Sequence, residues 1–316
     1  MRATRRSGTV RTKINGPRAA AGQRGERPEG TAPGAEKASG KGPMIVHLVD
    51  GTYELFRHFY GLRRFHKGED PPYGAVAGVL GTVIQMIETG ATHLGVATDH
   101  VIESFRNDLY EGYKTGEGIE PALWAQFHPL EEALVAMGVA TWPMAELEAD
   151  DAIASAARIA AEDPRVEKIS IWSPDKDLAQ CVRGDRIVQV DRRGKKILNK
   201  AGVKEKYGVP PMLIPDYLAL VGDAADGYPG LPGIGAVGAA RLLARYGGIE
   251  SMPDDAIRGA RAQALLFKEL ATLRTDAPLF EDVEALRWRG PTSGFETIAT
   301  KMDAARLVER CRKAAP

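Results

Sequence analysis

Short apolar runs that end on an acid recur along the chain. Ile45-Val46-His47-Leu48-Val49 runs into Asp50, and His93-Leu94-Gly95-Val96-Ala97-Thr98 runs into Asp99. Ile169-Ser170-Ile171-Trp172 leads through Ser173 and Pro174 to Asp175, and Ile187-Val188-Gln189-Val190 forms a fourth run. Runs this short predict buried strands. Between them the apolar spacing turns helical: through Phe56, Phe59 and Tyr60 after Gly51, from Gly74 to Ile87, and at Leu123, Phe127, Leu130 and Leu134. The run Ala152, Ile153, Ala154, Ala156, Ala157 predicts a further helix whose first turn holds Glu148, Asp150 and Asp151. Strands alternating with helices predict an α/β fold, a parallel sheet with helices on both faces. Ligands of such sheets bind beyond the carboxyl ends of the strands, where Asp50, Asp99 and Asp175 all fall.

From Gly222 the pattern changes. Gly222-Asp223-Ala224-Ala225-Asp226-Gly227-Tyr228-Pro229-Gly230-Leu231-Pro232-Gly233-Ile234-Gly235 precedes the helical positions Ala239, Ala240, Leu242 and Leu243. Gly233 to Gly238 fits G-x-G-x-x-G, but a dinucleotide site needs a strand before it and an acid on the next strand; here a Pro/Gly loop precedes and helices follow. The better reading is a helix-loop-helix whose glycines let backbone N–H groups approach a phosphate. Residues 250–316 read as mostly helical, interrupted near Pro253, Pro278 and Pro291, and no internal repeat is visible.

Composition narrows the class. With 316 residues, 44% hydrophobic and 27% charged, the chain can bury a core. Only two cysteines, Cys181 and Cys311, are present, so neither a disulfide framework nor a structural zinc site is indicated and a reducing, cytoplasmic setting is expected. No apolar stretch reaches the roughly 18 residues of a spanning helix. The formal net charge of zero hides an asymmetry: residues 1–43 carry ten Arg and Lys against three Glu, leaving the remainder net acidic. That segment is Gly-, Ala-, Pro- and Arg-rich and is expected to be a disordered basic tail. It reads equally as a DNA-binding arm or as an over-extended gene start, because Met44 immediately precedes the first strand.

Asp and Glu in a first helical turn have an ordinary explanation, the helix dipole and its unpaired N–H groups. The recurrence of acids at Asp50, Asp99, Asp175, Asp177, Asp223 and Asp226 changes the balance. Converging carboxylates repel unless a cation sits among them, and hard oxygen donors suggest magnesium or manganese. Phe105-Arg106 and Tyr113-Lys114 add two cations, read either as solvated surface charges or as clamps for a phosphodiester beside the metals.

Together these pieces resemble the 5'-3' exonuclease and flap endonuclease family, in the form of the N-terminal nuclease domain of bacterial DNA polymerase I. The resemblance spans about Met44 to Leu279. It rests on Val49-Asp50-Gly51, Asp99 with Phe105-Arg106, Tyr113-Lys114, Glu148-Ala149-Asp150-Asp151, Asp175-Lys176-Asp177-Leu178, Gly222-Asp223 with Asp226, Gly230 through Gly235, and Arg274 through Leu279. No polymerase domain follows, which suggests a stand-alone nuclease. The resemblance implies a PIN-like nuclease domain over 44–198 and, over 199–316, a helix-three-turn-helix module of the helix-hairpin-helix kind with a C-terminal helical region. It also implies two metal ions. Asp50, Asp99, Glu148 and Asp150 would serve one; Asp175, Asp177, Asp223 and Asp226 would serve the other, with Asp151 close by. Arg106 and Lys114 would be catalytic cations. Tyr113, Gly230, Gly233, Ile234 and Gly235 would bind DNA, with K+ at the glycine loop. Lys176 would balance the charge of its two neighbours. The expected partners are DNA with 5' flaps, nicks or 5' ends, and a DNA polymerase or ligase, with the protein a monomer away from membranes.

Three departures stand out. Where the family follows Tyr-Lys with a small pair and Arg, this chain has Tyr113-Lys114-Thr115-Gly116-Glu117; the glycine module has Asp226-Gly227-Tyr228-Pro229 in place of Asp-Asn-x-Pro; and His100 to Glu103 lacks the usual Lys and Pro. The leading expectation is therefore a divalent-metal-dependent 5' nuclease of DNA replication and repair. Alternatives are a relative that prefers RNA or RNA-DNA hybrids, and a weakly catalytic protein that binds DNA structures.

Overall fold

The computed structural model describes residues 43–63, 71–192 and 194–316; the expected basic tail, apart from Pro43, lies outside the described residues. In chain order the protein forms β1 (Met44–Asp50), α1 (Gly51–Arg63), α2 (Gly74–Glu88), β2 (His93–Asp99), α3 (Phe105–Leu109), α4 (Pro121–Trp124), α5 (Phe127–Ala136), β3 (Ala140–Met144), α6 (Ala149–Glu162), β4 (Val166–Trp172), β5 (Ile187–Asp191) and β6 (Lys196–Leu198). The helices α7 (Lys200–Tyr207), α8 (Ile214–Val221), α9 (Ala236–Tyr246), α10 (Arg261–Ala271), α11 (Phe295–Lys301) and α12 (Arg306–Ala314) complete it.

The sheet has the order β3-β2-β1-β4-β5-β6, parallel throughout except for the antiparallel β5–β6 pair. Its alternation sets the two faces. Val46 and Leu48 of β1 enter one core with Ile169 and Ile171 of β4 and the α6 residues Ala152, Ile153 and Ala156, while Val49 faces the other core. Small alanines let α6 lie close against the strands. On the opposite face Val79, Leu80, Ile84, Leu130 and Leu134 of α2 and α5 pack with Phe295 and Leu307 of α11 and α12, so the last two helices return to the sheet.

Two strands escape the sequence pattern. β3 carries Pro143 at the sheet edge, where a missing N–H costs nothing, and β6 is only three residues long. The expected single helix through Leu123 and Leu134 is also two, α4 and α5, separated by Ala125 and Gln126. A third core holds the helical module: Leu218, Leu220, Ala239, Leu243, Phe267 and Leu270. Tyr113 and Ala179 from the sheet side join it, which fixes the module against the loops beyond the strand ends. Among the described residues no helix is long and apolar enough to cross a membrane.

Candidate metal centre and nucleic-acid interface

The strand ends deliver their acids side by side because β1 is flanked by β2 and β4. Asp50 ends β1; its Oδ1 accepts the Tyr53 N–H at 2.8 Å and its Oδ2 accepts the Ser173 hydroxyl at 2.9 Å. Asp99 ends β2, and its Oδ1 accepts the Ala149 N–H at 2.8 Å, which ties it to the start of α6. Glu148 is the N-cap residue of that helix. After β4 the chain turns through Asp175 and Asp177, the Asp177 N–H donating to Asp175 Oδ1 at 3.2 Å. Asp223 and Asp226 come from the helical module on a tight turn closed by reciprocal Asp223 and Tyr228 backbone bonds of 2.9 and 3.1 Å. That turn is pressed against the segment before Lys114: a Cβ on Gly227 would stand 2.2 Å from the Gly112 carbonyl oxygen, and the Lys114 N–H donates to the Asp226 carbonyl at 3.0 Å.

Asp177, Asp223 and Asp226 each offer a carboxylate oxygen within 4.8 Å of the others, and all three are buried. Asp177 Oδ1 and Asp150 Oδ1 are buried without a hydrogen-bond partner. Orphaned acceptors of this kind are costly unless something absent from the protein satisfies them. The protonation states show the same frustration. Burial, opposed by the Tyr53 bond but reinforced by Asp99 and Asp175, pushes Asp50 up to about 7. Burial and then the neighbouring Asp175 hold Asp150 and Asp177 well above the usual carboxylate range. Asp99 and Asp226 are raised by burial, against the pull of Lys114. Glu148 moves down: burial opposes ionisation, but Lys114 and Arg106 outweigh it. An all-carboxylate set with unfilled lone pairs fits a hard divalent cation such as magnesium or manganese.

Three expected roles are corrected by burial. Arg106 does not face a phosphate. It is 1% exposed, its Nε–H donates to the Leu270 carbonyl at 2.8 Å, and its two terminal nitrogens grip both oxygens of Asp151 at 2.8 Å. The same nitrogens reach Glu148 Oε1 at 3.0 Å and the Thr272 carbonyl at 3.2 Å. Asp151 is consequently no free ligand: it also accepts the Glu148 and Arg274 N–H groups at 3.0 and 2.8 Å. Tyr113 is buried and presents no surface to DNA; its hydroxyl donates to Glu148 Oε2 at 3.3 Å. Lys114 does sit at the centre, bridging Glu148 Oε2 at 2.7 Å and Asp226 Oδ1 at 2.9 Å.

Pattern reading missed Ser104 and Ser173. Ser104 donates to Glu148 Oε1 at 2.7 Å and Ser173 orients Asp50; the signal available was only their place just before Phe105-Arg106 and Asp175. In the glycine loop, Gly230 and Gly233 adopt φ of 70° and 76°. A Cβ on Gly230 would stand 2.3 Å from the Gly222 nitrogen. The loop delivers exposed Gly235 to the N-cap of α9, beside an exposed Val237, with no side-chain cap bond at that end.

Comparison with known proteins decides the family. The model of the 5'-3' exonuclease N-terminal resolvase-like domain matches residues 45–208, and that of the 5'-3' exonuclease C-terminal SAM fold matches residues 209–294. The chain belongs to the 5'-3' exonuclease family. Within it, the chain is 36% identical over 264 residues to DNA polymerase I of Pseudomonas aeruginosa, covering 77% of this chain but only 28% of that relative. It is 30% identical over 259 residues to a 5'-3' exonuclease of Buchnera aphidicola, covering 76% of this chain and 88% of that one. The flap endonuclease of bacteriophage T5, solved as a pseudo-enzyme-product complex with DNA and metal ions, shares the fold with a TM-score of 0.58 at 17% identity, over 84% of this chain and 98% of that one. The mixed α/β nuclease fold with its helical SAM-like module is therefore the family's.

Proposed function

We propose that this family member is a divalent-metal-dependent 5' nuclease that hydrolyses DNA at 5' ends, nicks and flaps, leaving 5'-phosphate and 3'-hydroxyl ends in replication and repair. The observation that supports it is the group of Asp177, Asp223 and Asp226, its oxygens within 4.8 Å, at the mouth of a parallel sheet. When bound, magnesium or manganese supplies an activated water and stabilisation of the leaving oxygen. The chain's own residues do the rest. Asp177, Asp223 and Asp226 would hold one cation, while Asp50, Asp99, Glu148 and Asp150, with Asp175 between, would present the ligands for a second. Lys114, poised between Glu148 and Asp226, offers the cation for phosphate charge. The glycine loop and the start of α9 offer N–H groups to duplex phosphates, reading backbone rather than sequence. On this reading residues 44–198 carry most of the chemistry, while the module within 199–316 contributes Asp223 and Asp226 and grips the duplex.

The test is cleavage of an end-labelled 5'-flap duplex by wild type and Asp175→Ala, with magnesium, with manganese and with chelator. Cutting at the junction that needs metal and is lost in the variant is expected; absence of cutting on flaps, nicks and ends in either metal refutes the proposal. Matched RNA flaps in competition decide the nucleic acid. A second reading, structure-specific binding with weak turnover, draws support from the exposed Glu117 and the enclosure of Arg106. Tight binding without cutting would select it.

A further inference from the structure

Lys176 stands between two acids of the centre, yet its ammonium is bound to a third. Its Nζ lies 2.5 Å from Asp223 Oδ2. The other oxygen of Asp223 accepts the Ala225 N–H at 3.0 Å, so Oδ2 is the oxygen that carries no backbone bond. Asp226 Oδ1 is likewise held by Lys114. Asp177, 5% exposed, belongs to the same group and has a buried, unpartnered Oδ1. Three buried carboxylates are thus balanced by two ammonium groups, one of them on a side chain that is 41% exposed. Four rotatable bonds let such a side chain swing while its backbone stays fixed.

We infer that Lys176 is a positioning residue that competes with a divalent cation for Asp223 Oδ2 and, once released, turns to a substrate phosphate, so that metal and DNA binding are coupled through one lysine. The inference rests on the metal reading above. In protein without DNA, Lys176 holds Asp223 in place and keeps the carboxylate group's cation affinity low. A released ammonium loses its acid and gains an anionic partner only where a phosphodiester lies alongside. DNA therefore favours the released state, and by linkage each ligand tightens the other. The device restrains loading of a cutting centre until its substrate is present.

The experiment measures Mn2+ binding by the full chain, reading free Mn2+ by electron paramagnetic resonance, with and without a 5'-phosphorylated nicked duplex that mimics product. Lys176→Met should bind the weaker Mn2+ about tenfold more tightly without DNA, the scale of an ion pair with one buried partner. The duplex should tighten that Mn2+ strongly in wild type and little in Lys176→Met. Lys176→Arg, which keeps the charge, should retain the weak site and the coupling. Lys206→Met removes a nearby cation that feels the charges of Asp191 and Asp175 but makes no ion pair among the described residues, and serves as the control for the general field. Equal DNA enhancement in wild type and Lys176→Met overturns the inference, as does Lys206→Met reproducing the change. Failure of wild type to bind any Mn2+ overturns the metal reading itself, an outcome distinct from normal binding without coupling.

Discussion

Replacing Arg106 by Met separates a strut from a phosphate clamp. The variant keeps an unbranched apolar stem out to about the position of Nε and removes a guanidinium that makes five bonds to Asp151, Glu148 and the carbonyls of Leu270 and Thr272. Asp151, with no exposure at all, is left as a buried charge. Breaking such a pair from one side costs about 3–5 kcal/mol, and two carbonyls without donors add about 1 kcal/mol or more. Because Arg106 is 1% exposed, solvent screening offers no discount. A loss of about 4–6 kcal/mol is expected, a large part of a typical stability of about 5–15 kcal/mol. Urea unfolding followed by circular dichroism at neutral pH measures it. Arg106→Met with Asp151→Leu should recover only part of the loss: no charge is then stranded at 151, but the Glu148 and Arg274 N–H groups lose their acceptor. The reasoning is refuted if Arg106→Met costs under about 1 kcal/mol, within the range of ordinary surface changes, while DNA cleavage collapses.

The raised acids give metal-free protein an unusual pH profile. Asp50 titrates near 7 when folded against an ordinary value of 3.8, so the folded state holds the extra proton between those values and stability falls as pH rises through that window. Thermal unfolding in chelator should show this fall and magnesium should flatten it; a rise would contradict the sign. Asp177→Asn relieves the same repulsion, so its melting temperature in chelator should climb by a few °C, on the order of 1 kcal/mol, while stabilisation by manganese disappears. Gly230→Ala forces a Cβ against the Gly222 nitrogen at a φ of 70° and should cost about 2–4 kcal/mol by overpacking and strain; an unchanged urea midpoint would contradict the loop geometry. Glu117 is exposed, so Glu117→Arg should leave stability within about 0.5 kcal/mol and tighten flap binding with a steeper salt dependence. Titration at two salt concentrations checks it.

Asp50 and Asp99 were legible because a buried strand that ends on an acid leaves a signature in the chain order itself. Asp175 was legible although β4 stops at Trp172, since the loop beyond it keeps the acid at the same end of the sheet. Adjacent acids on a helix were harder. Asp150 and Asp151 differ by one residue, about 100° of helical rotation, and only packing shows which one turns inward. Arg106 was unreadable for a deeper reason. Its carbonyl partners lie at Leu270 and Thr272, far along the chain, and a cation in a motif carries no mark of whether it is buried. Tyr113 failed likewise, its ring claimed by the core of the helical module. β3 and β6 were hidden because edge strands tolerate proline and brevity, the features that pattern reading takes as breaks.

The three-carboxylate group draws Asp177 from the sheet side and Asp223 and Asp226 from a turn after α8. During synthesis the strands β1 to β6 leave the ribosome first, and at that length the nascent chain possesses Asp177 but neither of its companions. A partly made polypeptide therefore cannot assemble the three-carboxylate group. The group exists only once the helical module has docked, so any cation it holds waits on completed folding.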